Sequence, residues 1–207
     1  MVTVKSWTMN NPVVNILTRT NNREYFNVCK QSLESQTYKD INWIVGSDNN
    51  CDYHEGVLPL IKSIAVPFHI PQGHYYAPYN LHLNTLAEKC VEGIVTYMDF
   101  DDMYCDENSL QQIVDNFKSD CLNVWKVQIT PKFIVPNYSF GHAVTPCDVS
   151  GIGIAFHTKY LPFIDWGHLS MGDYRVAKQL EAKIGKVNWI DKVLTRTQKG
   201  AHNGKWL

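Results

Sequence analysis

The sequence predicts an α/β fold in which helices flank a mainly parallel central sheet. Three short apolar runs are typical of buried strands, and the segments between them carry apolar residues at helical spacing. Strands that alternate with helices favour a parallel sheet, because each helix carries the chain back to the start of the next strand. The three predicted strands are Val13–Leu17, Ile41–Val45 and Ile94–Met98.

The helices of this first half follow from apolar periodicity and a capping signal. Asn21, with Glu24 three residues later, predicts a helix start, and this helix is expected to end near Gln36. Periodic apolar residues predict further helices at 58–64, 83–90 and 110–117, with a short strand at 66–70.

The second half predicts a smaller, mixed part of the same domain, which we expect to span residues 1–207. Its strand-like runs are short, and one segment has a clear helical period. The predicted elements are strands at 124–130, 132–135, 151–156 and 188–190, and a helix at 173–184.

The bulk composition excludes several classes of function. A net charge of −1 leaves no basic excess for a nucleic-acid backbone, so no nucleic-acid partner is expected. No run of about 18 apolar residues occurs, so no membrane span is expected. The N-terminus lacks the pattern of a signal peptide, and the six cysteines show no C-x-x-C spacing. These features predict reduced thiols and a cytoplasmic location.

Polar residues follow the predicted strands and are the first candidates for a binding site. They are Thr18 to Asn21, Asp48, and Asp99 to Asp102. Ligands of open α/β sheets bind beyond the carboxyl ends of the strands, so we expect these residues to meet in one crevice. No G-x-G-x-x-G follows the first strand and no G-x-x-x-x-G-K-[S/T] occurs, so the usual glycine-rich phosphate loops do not supply the site.

The acidic segment Asp99–Asp102 predicts a phosphate site bridged by a metal ion. Carboxylates repel a diphosphate unless a divalent cation lies between them, and Mg²⁺ or Mn²⁺ binds one or two carboxylates together with substrate phosphates. Asp99 and Asp101 project to the same side of an extended chain, so one can contact a ribose while the other ligates the metal. The alternative is a solvated connection in which Asp102 or Asp106 caps the next helix.

Five segments, taken in order, resemble the family 2 glycosyltransferases, which have the GT-A fold. They are Asn15–Phe26 with its T-R-T turn, Ser32–Tyr38 with S-L-x-x-Q-T-Y, Trp43–Asp48, Met98–Asp102 with D-x-D-D, and Gly172–Tyr174 with G-D-Y. Residues 78–84 are also similar to a P-Y-N-x-x-L-N segment that some members share. The resemblance implies an inverting, metal-dependent transfer of a sugar from a nucleotide-sugar donor.

The resemblance also implies a role for particular residues. Asp173 is expected to be the catalytic base and Asp101 the first metal ligand, with His202 as a further ligand. Residues 1–102 are then the nucleotide-binding half, and residues 103–207 the acceptor-side half with a C-terminal lid. The residues expected to bind the donor nucleotide are Thr18, Arg19, Asp48, Asn84, Asp99 and Arg196.

The chain departs from the family's pattern at several positions. Gly46 and Ser47 stand where acidic residues are common, Gly172 replaces the usual glutamate before the base, and no arginine precedes Asn84. Two alternatives also stay open. Residues 170–173 have the form of a capping box, and the basic tail at 196–205 has the position of a frayed, solvated terminus.

A UDP-sugar is the first choice of donor, and a glycan, a lipid-linked sugar or a protein side chain remains open as acceptor. One rival interpretation is a nucleotide-sugar-binding module without turnover. A second is a sugar nucleotidyltransferase, although the turn at 18–22 is not glycine-rich. A metal nuclease is disfavoured by the net charge.

Overall fold

The computed structural model describes residues 11–20, 23–47, 58–59 and 77–198, and this part of the chain forms a single sheet with four α-helices packed on it. None of these helices combines the length and apolar composition that a membrane crossing requires. The strands are β1 (Val14–Thr20), β2 (Ile41–Ser47), β3 (Leu58–Pro59), β4 (Ile94–Tyr97), β5 (Asp102–Tyr104), β6 (Leu122–Thr130), β7 (Phe133–Val135), β8 (Ile154–His157) and β9 (Val187–Thr197). The α-helices are α1 (Arg23–Glu34), α2 (Leu81–Ala87), α3 (Ser109–Asn116) and α4 (Gly172–Ile184), and 3₁₀ helices cover Pro78–Asn80, Gly151–Gly153 and Thr158–Phe163.

The sheet confirms the predicted α/β class, with a parallel first half and a mixed second half. Its strand order is β3-β2-β1-β4-β8-β6-β9-β5, and β7 pairs with β6. The first four strands run parallel, whereas β8 is antiparallel to both of its neighbours. The carboxyl ends of β1, β2 and β4 therefore lie along one edge, where polar residues follow them.

Apolar side chains cover both faces of the sheet, because neighbouring residues of a strand point to opposite sides. Ile16 of β1 packs in one cluster with residues of α1 and α3, and Leu17 packs in a second cluster with residues of α2 and α4. Ile94 and Val95 of β4 divide in the same way. Both faces are thus filled, and polar side chains gather at the strand ends.

Several elements differ from the prediction. Leu58–Pro59 pairs with β2 as a strand and does not begin a helix, while the rest of that helix and the strand at 66–70 lie outside the described residues. Gly151–Gly153 is a 3₁₀ turn before β8. The last strand is longer than predicted because it pairs with both β6 and β5. Local periodicity does not reveal pairing between distant segments, so it also does not predict β5.

Candidate functional site

The ends of β1 and β4 bring Arg19 and Asp99 into contact. The guanidinium donates from Nε to Asp99 Oδ1 at 3.0 Å and from Nη2 to Oδ2 at 2.6 Å. The ladder between the two chains continues past β4, since Met98 N donates to Leu17 O and Phe100 N to Arg19 O. The adjacent parallel strands β1 and β4 therefore place this ion pair, which has two hydrogen bonds, at their carboxyl ends.

The 3₁₀ turn before α2 holds the guanidinium from a second side. Arg19 Nη1 donates to Asn80 Oδ1 at 3.2 Å, and Arg19 Cζ lies 5.2 Å from the ring centre of Tyr79. Asn80 Nδ2 in turn donates to Leu169 O at 2.9 Å. Tyr79 keeps 43% of its surface exposed, so an aromatic face lies at the surface beside the cation.

Helix α4 carries Asp173, whose carboxylate interacts electrostatically with the Arg19–Asp99 pair. Asp173 is the second residue of the helix, and its Oδ2 accepts a hydrogen bond from Gly151 N at 2.9 Å. Burial raises the pKa of Asp173, the Gly151 N–H lowers it, and the charges of Asp99 and Arg19 act in opposite directions. A carboxyl from the second half of the chain thus lies within electrostatic reach of the Arg19–Asp99 pair.

The start of α4 explains the glycine that departs from the family's pattern. A Cβ on Gly172 would lie 2.8 Å from Asn80 Nδ2 and 3.0 Å from Trp166 Cε3. The residue before the helix is Met171, in the left-handed conformation at φ 58° and without a side-chain cap, so Ser170 is not the N-cap that a capping box requires. Close packing against Asn80 and Trp166 therefore favours glycine at position 172, since a larger residue would have to displace the Asn80 amide.

The acidic segment folds as a tight turn, which we call the carboxylate turn (Asp99–Asp102). Asp102 N donates to Asp99 O at 3.0 Å, and the Asp102 side chain is buried. Burial raises the pKa of Asp102 well above its ordinary value, the charges of Asp101 and Asp99 add to this, and a hydrogen bond with the Thr197 side chain opposes it. Asp102 lies in β5 and caps no helix, so this part of the alternative interpretation is wrong.

The carboxylate turn could hold a divalent cation only together with oxygen ligands from outside the protein. The part of the chain that the structure describes contains no group of three or more histidine, cysteine or acidic side chains arranged around a metal position. Asp99 is paired with Arg19, and Asp101 is partly exposed, so Asp101 is the side chain of the turn that could reach a cation bound from solvent. Mg²⁺ and Mn²⁺ accept such an arrangement, since substrate phosphates and water supply the other oxygens.

Two of the residues predicted to contact the donor, Thr18 and Asn84, have side chains that form hydrogen bonds within the protein. Thr18 is fully buried and its Oγ1 accepts from Trp43 Nε1 at 2.9 Å. Asn84 donates to Asp165 Oδ1 at 2.7 Å and accepts from Trp166 N at 3.2 Å. Both side chains lie apart from the Arg19–Asp99 pair and connect elements of the scaffold.

Arg196 also lies apart from this pair. It is opposite Met103 in the β5–β9 ladder and points away from the face on which Thr197 bonds Asp102. Burial raises the pKa of the Cys105 thiol and the charge of Arg196 opposes this, so the exposed guanidinium lies near Cys105. The predicted contacts at Asp48 and His202 lie outside the described residues.

Two residues of the site are not among the site residues predicted from the sequence. Asn80 lies within the P-Y-N segment, and its contact with Arg19 becomes visible once the turn is folded. Gln198 donates to three carbonyls around the carboxylate turn, although neither its spacing nor its type marks it. Chemical type identifies the charged members of the site, whereas three-dimensional placement identifies these amides.

Comparison with known proteins rests on structure. No protein-family model matches the sequence, and no curated protein matches it. The structure of S. aureus TarS 1-349 matches with a TM-score of 0.63 at 16% identity, covering 91% of this chain and 61% of that chain. The fold is of the GT-A type.

Two further structures with the same fold were solved with nucleotide sugars. TarS 1-349 in complex with UDP-GlcNAc matches with a TM-score of 0.63 at 15% identity, over 94% of this chain and 62% of that chain. The mannosyltransferase PcManGT from Pyrobaculum calidifontis, in complex with GDP-Man and Mn²⁺, matches with a TM-score of 0.57 at 14% identity, over 94% and 60%. The chain spans about three fifths of the length of these proteins, and the likeness is one of fold.

Proposed function

We propose that the chain is a metal-dependent, inverting glycosyltransferase of the family 2 type, which moves a sugar from a nucleotide-sugar donor to an acceptor hydroxyl. The observation that carries this proposal is that Asp173 lies within electrostatic reach of the Arg19–Asp99 pair at the carboxyl ends of the strands of a GT-A sheet. The complexes of TarS with UDP-GlcNAc and of PcManGT with GDP-Man and Mn²⁺ support a nucleotide sugar as the ligand class.

The donor is proposed to lie over the carboxylate turn. Asp99 contacts the nucleoside ribose, Asp48 contacts the nucleoside, and Asp101 would ligate Mn²⁺ or Mg²⁺, with His202 as a further ligand. Arg196 lies within β9, where it pairs with Met103 of β5, so it is not assigned to a lid over the donor. A bound cation supplies a positive charge that stabilises the diphosphate as it leaves. Thr18 and Asn84 support the site from within the scaffold, because their side chains already have partners.

Asp173 is proposed to accept the proton of the attacking hydroxyl. A general base needs a carboxylate held in a fixed orientation, and the Gly151 N–H fixes one of its oxygens. Arg19 places a positive charge nearby, which limits the repulsion between Asp173 and Asp99. The exposed ring of Tyr79 offers an aromatic face to a sugar beside this group.

Thermal stabilisation tests donor binding directly, because a ligand that binds the native state raises Tm. A ligand at about a hundred times its Kd adds about 2.7 kcal/mol to the free energy of unfolding. We expect one of the UDP-, GDP- or dTDP-sugars to raise Tm in the presence of Mn²⁺, with the effect reduced in Asp101→Asn. If no nucleotide sugar raises Tm in the presence of Mn²⁺, the proposal of a donor site is wrong. Mn²⁺-dependent donor hydrolysis then distinguishes an enzyme from a binding module.

The pH dependence of turnover tests the proposed base. Asp173 accepts a proton only when it is deprotonated, and its pKa lies above the ordinary value of 3.8. Turnover is therefore expected to be lost as pH falls through this raised pKa and to be complete above it. In Asp99→Asn the acid limb of the kcat profile should move to lower pH, because a nearby negative charge is removed. If the acid limb does not move in Asp99→Asn, the charge of Asp99 does not influence the pKa of the catalytic base.

A further inference from the structure

Gln198 makes four hydrogen bonds around the carboxylate turn. It follows β9 directly and is 7% exposed. Its backbone N–H donates to Asp101 O at 2.8 Å. Its side-chain Nε2 lies 3.1 Å from Phe100 O, 3.2 Å from Asp102 O and 2.9 Å from Tyr25 O of α1. A single amide nitrogen is thereby shared among three backbone acceptors.

These bonds tie the turn to the end of β9 and to α1. Three successive carbonyls, from Phe100 to Asp102, all accept from Gln198. The bond to Tyr25 O ties the same amide to α1, so the turn, the helix and the end of β9 meet at one side chain. Backbone carbonyls need partners. The turn has two further backbone bonds, from Asp102 N to Asp99 O and from Phe100 N to Arg19 O, and Asp102 also pairs with Thr197 in the β5–β9 ladder.

We propose that Gln198 is a positioning residue that holds the carboxylate turn in the shape that binds a nucleoside diphosphate together with a divalent cation. This inference rests on the proposed function. The turn gathers acidic side chains whose like charges repel one another, so a fixed backbone is needed to keep Asp99 and Asp101 at set positions. Binding groups have to stay within about 0.5 Å of their working geometry, and a displaced group loses its effect steeply.

Gln198→Met tests this role, because methionine keeps the length of the side chain and removes the amide donor. The backbone N–H to Asp101 O remains. We expect the Kd of UDP with Mn²⁺ to rise roughly tenfold, and the donor KM to rise by a similar factor with a smaller change in kcat. Binding is measured by calorimetry, and GDP or dTDP replaces UDP if the thermal screen selects it.

Gln36→Met is the matched control. Gln36 is also a buried amide, and its Nε2 donates to Ser32 O and Asp106 O, away from the carboxylate turn. Both variants are expected to lower Tm, while Gln198→Met alone weakens the binding of Mn²⁺ with UDP. Equal Kd values for Gln198→Met and the native chain would show that Gln198 acts in stability only, and would overturn the inference.

A shorter variant covers the case in which Gln198→Met does not fold. Gln198→Asn keeps the amide but moves it back by one methylene, so it is expected to give a Kd between those of the native chain and of a chain without the amide. A native Kd for Gln198→Asn would overturn the inference. If the native chain binds none of UDP, GDP and dTDP with Mn²⁺, the proposed function itself fails, and this inference fails with it.

Discussion

Replacing Asp173 with asparagine is expected to reduce the kcat of sugar transfer by about 10²–10⁴-fold, while the binding of Mn²⁺ and nucleotide stays close to native. Asparagine has nearly the same shape, and its side-chain oxygen still accepts from Gly151 N. It is not basic, so it cannot take the proton of the attacking hydroxyl. Steady-state kinetics and calorimetric nucleotide binding measure the two effects separately.

A second aspartate controls for the general effect of removing a carboxylate. Asp191 lies on β9, exposed, and pairs with Lys126 on the strand next to it. Asp191→Asn is expected to leave kcat and donor KM unchanged. Turnover that survives in Asp173→Asn would remove this residue from the mechanism, and the acid limb assigned to it would then need another group.

The part of the fold that the sequence predicts well is the part with local periodicity. β1, β2 and β4 follow apolar runs, and α1, α3 and α4 follow residues three and four apart. The site residues Arg19 and Asp99 are found for the same reason, since each stands at the end of such a run. The edge where strand ends meet is a consequence of parallel order, which the alternation of strands and helices already predicts.

What the sequence does not predict depends on contacts between distant segments. β5 exists because it pairs with β9, which follows it in the chain only after most of the second half. The preference for glycine at position 172 becomes clear once Asn80 and Trp166 are packed against the start of α4. A residue type that departs from a family's pattern can therefore mark close packing in the site.

The placement of aromatic side chains shows the same limit. Trp166 is almost fully buried and donates from Nε1 to Tyr97 OH at 3.2 Å, so it serves the core. Tyr79 is the ring that remains at the surface beside Arg19. Composition alone does not distinguish these two roles, because both rings are apolar with one polar atom.

A double-mutant cycle on Arg19 and Asp99 should show that the pair contributes to both stability and activity. In Arg19→Met the Asp99 carboxylate loses a two-bonded partner, and its repulsion with Asp173 is no longer offset. We expect the free energy of unfolding to fall by about 1–3 kcal/mol and kcat/KM to fall by about a hundredfold. Denaturant unfolding and steady-state kinetics measure the two quantities.

The double variant separates the two contributions. Arg19→Met with Asp99→Asn removes both charges, so its loss of stability should be smaller than the sum of the single losses. Activity should not return, because the donor still lacks its carboxylate contact. The pair Lys126 and Asp191 provides a control cycle with coupling near zero, since its side chains are 29% and 71% exposed compared with 16% and 32% for Arg19 and Asp99. Full additivity at Arg19 and Asp99 would mean that the ion pair does not organise the site, and the carboxylate turn would have to be fixed by Gln198 and the backbone alone.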